Sequence, residues 1–210
     1  MFYGYDRTGF PLIPMFETGI EAHLLPVTKI QFEDFLKDTC RSDDSGYTEM
    51  LELNPRVSHQ KFTWENREGL FVTGVLPDEV TDFARWMGEE YDLMTAAEWR
   101  CVHEELSVVA DPLYASTDIP AQCPAKPVRE LLERLKEQCQ PKTLFDMTLM
   151  KDGVVEWVRL DDAWVGLGCP RREFYPNLWD PLTDVIRPVD LKFRLKYFGF
   201  RLVRRIAEQP

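Results

Sequence analysis

The side chains that could carry redox or metal chemistry are few and scattered. The chain of 210 residues has five cysteines and three histidines, with no CxxC, HxH or HExxH spacing. A metal site needs several such ligands at short, regular spacing, so these residues do not predict a catalytic zinc ion. An odd number of cysteines without CxxC spacing is more typical of a reducing cytoplasm than of a disulfide framework. The residues concerned are Cys40, Cys101, Cys123, Cys139, Cys169, His23, His59 and His103.

Residues 161–190 contain a cluster of residue types that favour binding rather than catalysis. Tryptophan, tyrosine and arginine dominate the energetics of protein interfaces. We therefore interpret the cluster as a partner-binding face, with the alternative that some of its rings only pack the loop against the core. The candidate residues are Trp164, Arg171, Arg172, Phe174, Tyr175 and Trp179.

The overall charge limits the partners that the chain can take. The net charge is −11 and the pI is about 4.8. Sequence-specific nucleic-acid binding is not expected, because phosphate contacts need clustered basic side chains. The basic residues do concentrate at Lys192, Arg194, Lys196, Arg201, Arg204 and Arg205. On an alternating strand they predict a solvated face, or else a docking face for an acidic partner, protein or nucleic acid.

Neither a signal peptide nor a membrane span is expected. Asp6 and Arg7 interrupt the N-terminal stretch where a signal peptide would need an apolar core. The sequence also lacks an apolar run long enough for a membrane helix. Together with the cysteine pattern, these features predict a cytoplasmic protein that does not contact membranes.

Four helices can be predicted to position these residues. Capping boxes at Thr28 and Thr95 open helices over about 29–38 and from 95 through Leu106. A helix from about 78 ends at Gly88, which can adopt the backbone conformation that stops a helix. Residues 128–139 have leucines on one face and charges on the other, and they predict an amphipathic helix.

The remaining segments predict short strands and irregular loops. Strands are expected at 70–75, at 153–160 and at 191–206, the last with a bulge at Gly199. Residues 40–66, including a turn at 43–46, and residues 107–127 are expected to be irregular, because polar and proline residues dominate them.

Several stretches in sequence order resemble one known family. Residues 71–86 read FVTGVLPDEVTDFARW, 92–99 read DLMTAAEW, 150–158 read MKDGVVEWV and 199–204 read GFRLVR. They are similar to motifs of the formylglycine-generating enzyme (sulfatase-modifying factor) family. That resemblance, which covers residues 26–204, implies an α+β, C-type-lectin-like fold with short strands, a few helices and much irregular loop. It implies one domain over residues 1–210, with 107–145 as a family-divergent insertion that carries the helix at 128–139.

The matching residues are expected to be structural. Thr95 and Glu98 close the start of a helix that Trp99 fixes in the core, and Glu156 and Trp157 lie on a central strand. A buried carboxylate needs a partner, and we expect Glu156 to pair with Arg201 of the terminal strand. The structural set is Thr95, Glu98, Trp99, Glu156, Trp157, Gly199 and Arg201.

The sequence departs from the family at the residues that carry its chemistry. The family's oxidase needs two cysteines near the C-terminus to bind copper, and this chain has none after Cys169. Of the family's calcium ligands only Glu156 and the carbonyl of Val154 remain, so calcium near Glu156 is the weaker alternative to no cofactor. The resemblance therefore implies a non-catalytic pseudoenzyme without a catalytic or metal residue.

The preferred functional hypothesis is a binding or adaptor protein. On the resemblance, its partner is another protein within a multi-subunit bacterial assembly of the conflict or immunity type. One alternative is a divergent formylglycine-generating-type oxidase or other enzyme, which copper dependence would reveal. A second alternative is a ligand-binding protein of the retroelement-diversified C-type-lectin kind.

Overall fold

A computed structural model describes residues 4–41, 43–108, 119–168, 180 and 183–206. The described chain is a mixed α and β fold with two small sheets. The helices are α1 (Lys29–Asp38), α2 (Ser45–Leu53), α3 (Pro77–Met87), α4 (Ala96–Val108), α5 (Ile119–Gln122), α6 (Lys126–Cys139) and α7 (Leu144–Thr148), with a 3₁₀ helix at Trp64–Leu70. The strands are β1 (Gly4–Tyr5), β2 (Pro11–Met15), β3 (Ile20–His23), β4 (Tyr91–Leu93), β5 (Val155–Leu160), β6 (Ala163–Leu167), β7 (Phe198–Phe200) and β8 (Leu202–Arg205).

The two sheets share the C-terminal segment of the chain. The larger sheet is antiparallel and has the order β1-β2-β3-β8-β4. In the smaller sheet, with the order β6-β5-β7, β5 pairs antiparallel with β6 and parallel with β7. Strands β7 and β8 are separated only by Arg201, so one residue marks the passage from one sheet to the other.

The predicted helices at 29–38, 78–87 and 95–106 are confirmed, together with the local signals that start them. Thr28 and Gln31 form a reciprocal capping box at the start of α1. At α4, the Thr95 amide donates to Glu98 Oε2 over 2.7 Å, and the Glu98 amide donates to Thr95 Oγ1 over 3.1 Å. Gly88 ends α3 with φ of 149°, a conformation open to glycine and strained for other residues.

The amphipathic helix predicted at 128–139 is confirmed and begins two residues earlier, as α6. Its apolar face is formed by Val128, Leu131, Leu132 and Leu135, each at most 1% exposed. These side chains belong to the same core cluster as Trp99 and Val102 of α4. The helix therefore packs on the core, within the region expected to be an insertion.

The strand predicted at 70–75 was wrong, and the strand predicted at 191–206 and the two predicted loops were only partly right. Residues 71–75 do not form a strand. They make isolated backbone hydrogen bonds to other segments, such as the one of 3.0 Å from the Val72 amide to the Val27 carbonyl oxygen. In the region expected to be irregular, Asp44 caps α2 by accepting from the amides of Gly46 and Tyr47. Residues 107–127 include the end of α4 and the short α5, with 109–118 outside the described residues.

The long strand predicted at 191–206 is replaced by the two short strands β7 and β8, preceded by turns. Gly199 pairs with Glu156 inside β7 and does not form the predicted bulge. Glycine fits this position for a different reason, because a Cβ atom there would lie only 2.8 Å from the carbonyl oxygen of Val72. Of the apolar residues that alternate at 191–197, Leu191 and Phe193 are exposed, whereas Leu195 and Tyr197 are partly buried against the core. None of them lies in a strand.

The expectation of a solvated basic face was wrong for three of its six members, Arg194, Arg201 and Arg204, which are partly or fully buried. Arg201 is 1% exposed. Arg194 binds Glu79 and Glu49, Arg204 binds Glu21, and Arg205 binds Glu98. Lys192, Lys196 and Arg205 are the exposed members of the set, and of these Arg205 is paired with Glu98. Acidic residues of the chain itself therefore neutralise most of this charge.

No helix within the described ranges has both the length and the apolar character needed to cross a membrane.

Candidate partner-binding cleft

The site is built on a buried ion pair between the two sheets. Glu156 of β5 and Arg201 are each 1% exposed, and the closest N–O distance between them is 2.9 Å. The second carboxylate oxygen accepts from Arg201 Nε at 3.1 Å and from Trp99 Nε1 at 3.1 Å. The expected pairing of Glu156 with the terminal segment is confirmed, and Trp99 is an additional donor that the sequence did not predict.

The guanidinium of Arg201 uses all of its hydrogen-bonding capacity. Nη1 donates to the carbonyl oxygens of His23 at 2.9 Å and Leu24 at 2.6 Å. Nη2 donates to Thr148 O at 2.7 Å and to Glu156, and Nε also donates to Glu156. Because arginine has five N–H donors, each has an acceptor here. This network joins β3, α7 and β5 to the passage between β7 and β8.

A second ion pair fixes the start of α4 against the larger sheet. Arg205 of β8 donates from Nη1 to Glu98 Oε1. Burial acts to raise the pKa of Glu98, but the hydrogen bonds from Arg205 and Thr95 and the charge of Arg205 lower the pKa overall. Glu98 therefore both caps α4 and holds the last strand, which supports the structural role expected from the sequence.

A cleft opens between α3, β4 and the hairpin of β5 and β6. Its volume is about 730 Å³, within the range of pockets that hold small ligands or side chains of a partner. The apolar part of its lining is formed by Val80, Ala84, Tyr91, Leu93 and Trp164. The charged residues of the lining are Arg85, Glu89, Asp92, Arg159 and Asp161.

Trp164 is held in the cleft wall by its neighbours on the small sheet. Its ring is perpendicular to that of Trp157, with 6.0 Å between the centroids. Trp157 is 1% exposed, and its Nε1 donates to the carbonyl oxygen of Val75 over 3.0 Å. Trp164 itself is partly buried. A fixed tryptophan thus supports a second, accessible one.

Arg159 lies directly across the hairpin from Trp164. Its guanidinium carbon is 4.9 Å from the centroid of the Trp164 ring, a distance at which cation–π attraction is effective. Among the described residues, no carboxylate lies within 4.0 Å of this guanidinium. Arg159 therefore stacks on Trp164 in the lining of the cleft and has no carboxylate partner among the described residues.

Another stacked pair on this protein has a different environment. Arg7 lies 4.3 Å from the Trp86 ring centroid, but its Nη2 also donates to Asp38 at 3.2 Å and Nη1 donates to the Trp86 carbonyl. The guanidinium of Arg7 is thus engaged within the chain. Of these two pairs, only the one in the cleft has a guanidinium without a carboxylate or carbonyl partner among the described residues.

Tyr91 closes the floor of the cleft. It is 8% exposed, and burial raises the pKa of its hydroxyl to about 12, against a smaller lowering effect of Arg204. The phenol is therefore neutral at physiological pH and can donate or accept a hydrogen bond, but it is not available as a base. The cleft thus combines apolar walls, a neutral hydroxyl and charges of both signs.

The described residues provide little for metal chemistry. No group of three or more histidine, cysteine, aspartate or glutamate residues is arranged to hold a metal ion within the described ranges. Burial raises the pKa of the Cys123 and Cys139 thiols to about 11, which keeps them protonated. Glu156, the residue considered for calcium, has both oxygens engaged by Arg201 and Trp99.

Of the partner-binding candidates from the sequence, the structure places Trp164 in the cleft. The others, Arg171, Arg172, Phe174, Tyr175 and Trp179, lie outside the described residues. Sequence reasoning missed Arg159, Tyr91 and Asp161. The Asp161–Asp162 turn was a usable signal, since a hairpin there places Arg159 opposite Trp164.

Comparison with the models of known protein families gives no match to this chain, and comparison with curated proteins gives none either.

Proposed function

We propose that the protein is a non-catalytic binding or adaptor protein that holds a segment of another protein in the cleft beside Trp164. The observation that carries this proposal is the Arg159–Trp164 pair, which lines a cleft of about 730 Å³. Within the described part of the chain, the guanidinium of Arg159 has a ring beneath it but no carboxylate partner. Tryptophan and arginine in a partly desolvated pocket are the residues that most often dominate binding energy.

The lining indicates the chemistry of the bound segment. An apolar or aromatic side chain of the partner packs against Trp164, and a carboxylate of the partner accepts from Arg159 in a bidentate manner. Glu89, Asp92 and Asp161 lie on the same lining and disfavour a segment with many negative charges. The preferred partner segment therefore carries one acidic and at least one large apolar residue.

The scaffold supports the same proposal. The buried Glu156–Arg201–Trp99 network fixes the strand that carries Arg159, so the cleft is positioned by a rigid element. The resemblance to the formylglycine-generating enzyme family suggests a C-type-lectin-like domain in which loops on a rigid core bind ligands. On that resemblance we propose an accessory subunit of a larger bacterial assembly of the conflict or immunity type. The cysteine pattern supports a cytoplasmic location for it.

The test is affinity purification of the tagged protein from its native host, with mass spectrometry to quantify the proteins recovered. The cleft variant is Arg159→Met, Trp164→Ala, and the matched control is the other stacked pair, Arg7→Met, Trp86→Ala. Circular dichroism and the urea midpoint of each variant confirm that it is folded. Hot-spot residues contribute about 2 kcal/mol or more, so the cleft variant should recover the partner at least about 30-fold less efficiently.

The outcomes separate the proposal from its alternative. A stoichiometric partner that is retained by the control and lost by the cleft variant supports the adaptor function. A partner retained equally by both variants contradicts the assignment to the cleft. If no partner is recovered and the purified protein carries stoichiometric metal, the adaptor proposal is refuted and an enzymatic function must be sought.

A further inference from the structure

The segment that leads from the small sheet to β7 exposes an unusual amount of apolar surface. Val189 is 106% exposed, Leu191 39% and Phe193 68%. Among the described residues, these are three of the six large apolar side chains that are exposed. The other three, Phe16, Val108 and Ile206, are far apart in sequence. Single exposed apolar residues are common, but three within five consecutive residues form a cluster.

The exposed segment is anchored at both ends. At its start, Ile186 and Gly166 exchange two backbone hydrogen bonds of 2.8 and 2.9 Å. At its end, Arg194 donates to Glu79 Oε1 over 2.7 Å and to the carbonyl oxygen of Gly74 over 2.8 Å. The exposure of the apolar side chains is therefore a feature of a fixed segment. A surface held in this way loses little conformational entropy when a partner binds.

The basic residues beside these side chains differ from the other basic residues near the C-terminus. Arg194, Arg204 and Arg205 each bind a glutamate of the chain. By contrast, Arg187, Lys192 and Lys196 are exposed, and no carboxylate of the described residues lies within 4.0 Å of them. In a chain of net charge −11, three exposed cations without a described carboxylate partner therefore lie beside the exposed apolar cluster.

We infer that residues 187–196, here called the basic–apolar patch, dock an acidic segment of a protein partner. The segment carries aspartate or glutamate residues alternating with large apolar residues. Val189, Leu191 and Phe193 supply the apolar contact that stabilises the complex. Arg187, Lys192 and Lys196 steer and orient the acidic segment. The patch shares no residue with the lining of the Trp164 cleft, so this inference does not depend on the proposed function.

Other occupants fit the patch less well. An anionic membrane attracts clusters of about four to eight basic side chains, whereas the patch has three without a described carboxylate partner and the protein as a whole is strongly acidic. The same net charge repels nucleic acid. Two copies of the chain that met through this patch would oppose like charges. An acidic protein segment alone satisfies both the apolar and the basic groups.

The experiment is a selection from a phage-displayed random dodecapeptide library on the purified wild-type protein. One selected peptide is then synthesised and its affinity is measured by fluorescence anisotropy. The patch variants are Leu191→Ser, Phe193→Ser, which removes apolar surface, and Lys192→Glu, Lys196→Glu, which reverses charge. The control variants, remote in sequence, are Phe16→Ser, at a side chain with 74% exposure, and Lys37→Glu, at a side chain with 69% exposure.

The expected result is enrichment of peptides rich in acidic and large apolar residues, with affinities on the order of micromolar. Binding should weaken about tenfold or more in both patch variants and with added salt, and it should be unchanged in the controls. The inference is overturned if no peptide is enriched, if the enriched peptides lack acidic residues, or if the patch variants bind as tightly as the wild type.

Two further outcomes would replace the acidic segment by another occupant. Binding to phosphatidylserine vesicles that is lost in the patch variants, without binding of acidic peptides, would overturn the inference in favour of a lipid surface. A dimer in sedimentation equilibrium that becomes monomeric in the patch variants would overturn it in favour of a second copy of this chain.

Discussion

Replacing Arg201 by methionine removes the centre of the network that joins the two sheets. The change leaves Glu156, which is 1% exposed, with Trp99 Nε1 as its only remaining donor among the described side chains. The carbonyl oxygens of His23, Leu24 and Thr148 also lose the hydrogen bonds that they accept from the Arg201 guanidinium. Removing one partner of a buried ion pair costs about 3–5 kcal/mol, because the other charge is left without compensation.

The free energy of unfolding should therefore fall by about 4 kcal/mol, a large part of the roughly 5–15 kcal/mol of an ordinary domain. The assay is equilibrium unfolding in urea, followed by tryptophan fluorescence. The matched control is Arg85→Met, which removes a surface pair with Asp82 at 3.3 Å in which the arginine side chain is 76% exposed. That change should cost less than about 1 kcal/mol, since water already solvates both charges.

A double-mutant cycle separates the pair from other effects of the substitution. Glu156→Leu combined with Arg201→Met should be less destabilising than the sum of the two single changes, with a coupling energy above about 1 kcal/mol. The reasoning is refuted if Arg201→Met costs no more than the surface control, or if the two changes are additive.

Three further predictions concern other buried groups. Burial lowers the pKa of His23 from 6.5 to about 4, against a smaller opposing effect of Asp6. The unfolded state therefore binds the proton first, and about 3 kcal/mol of stability present above pH 6.5 should be lost as the pH falls to 4. Urea unfolding at several pH values should show a weaker dependence of the free energy of unfolding on pH in His23→Leu than in the wild type. An unchanged pH dependence would contradict the assignment of this loss to His23. Lys29 Nζ donates to the carbonyl oxygens of Asn54 at 2.6 Å, Gly69 at 3.0 Å and Pro55 at 3.2 Å. Lys29→Met should destabilise by about 1–3 kcal/mol in urea unfolding, whereas the exposed Lys37→Met should have no measurable effect. Leu132→Ala, at a fully buried position of α6, should lower the free energy of unfolding by about 2–5 kcal/mol and lower the melting temperature. A decrease below about 0.5 kcal/mol, as expected of a surface residue, would show that α6 does not pack on the core.

The parts of the fold that sequence reasoning predicted correctly depend on local signals. The capping boxes at Thr28 and Thr95 and the apolar face of α6 are complete within a few consecutive residues. The pair of Glu156 and Arg201 was predicted for a different reason, since a carboxylate on a buried strand requires a nearby cation. Each of these predictions used a physical requirement that the sequence itself displays.

The errors concern interactions between residues far apart in the chain. Arg194 binds Glu49 and Glu79, which are 145 and 115 residues away, so its neutralisation could not be read from the basic run. The alternation at 191–197 resembles a strand, but the chain forms turns there and Arg194 binds Glu79 at the start of α3. Likewise, the cleft depends on how α3, β4 and the β5–β6 hairpin approach one another, and local patterns do not specify this arrangement.

The most direct test of the cleft as the binding face is hydrogen–deuterium exchange of the protein alone and with its copurified partner. The account predicts that the partner slows amide exchange in residues 80–95 and 159–166, which line the cleft, and that Arg159→Met, Trp164→Ala abolishes this protection. Protection confined to other segments, with exchange in both ranges unchanged by the bound partner, would contradict the account.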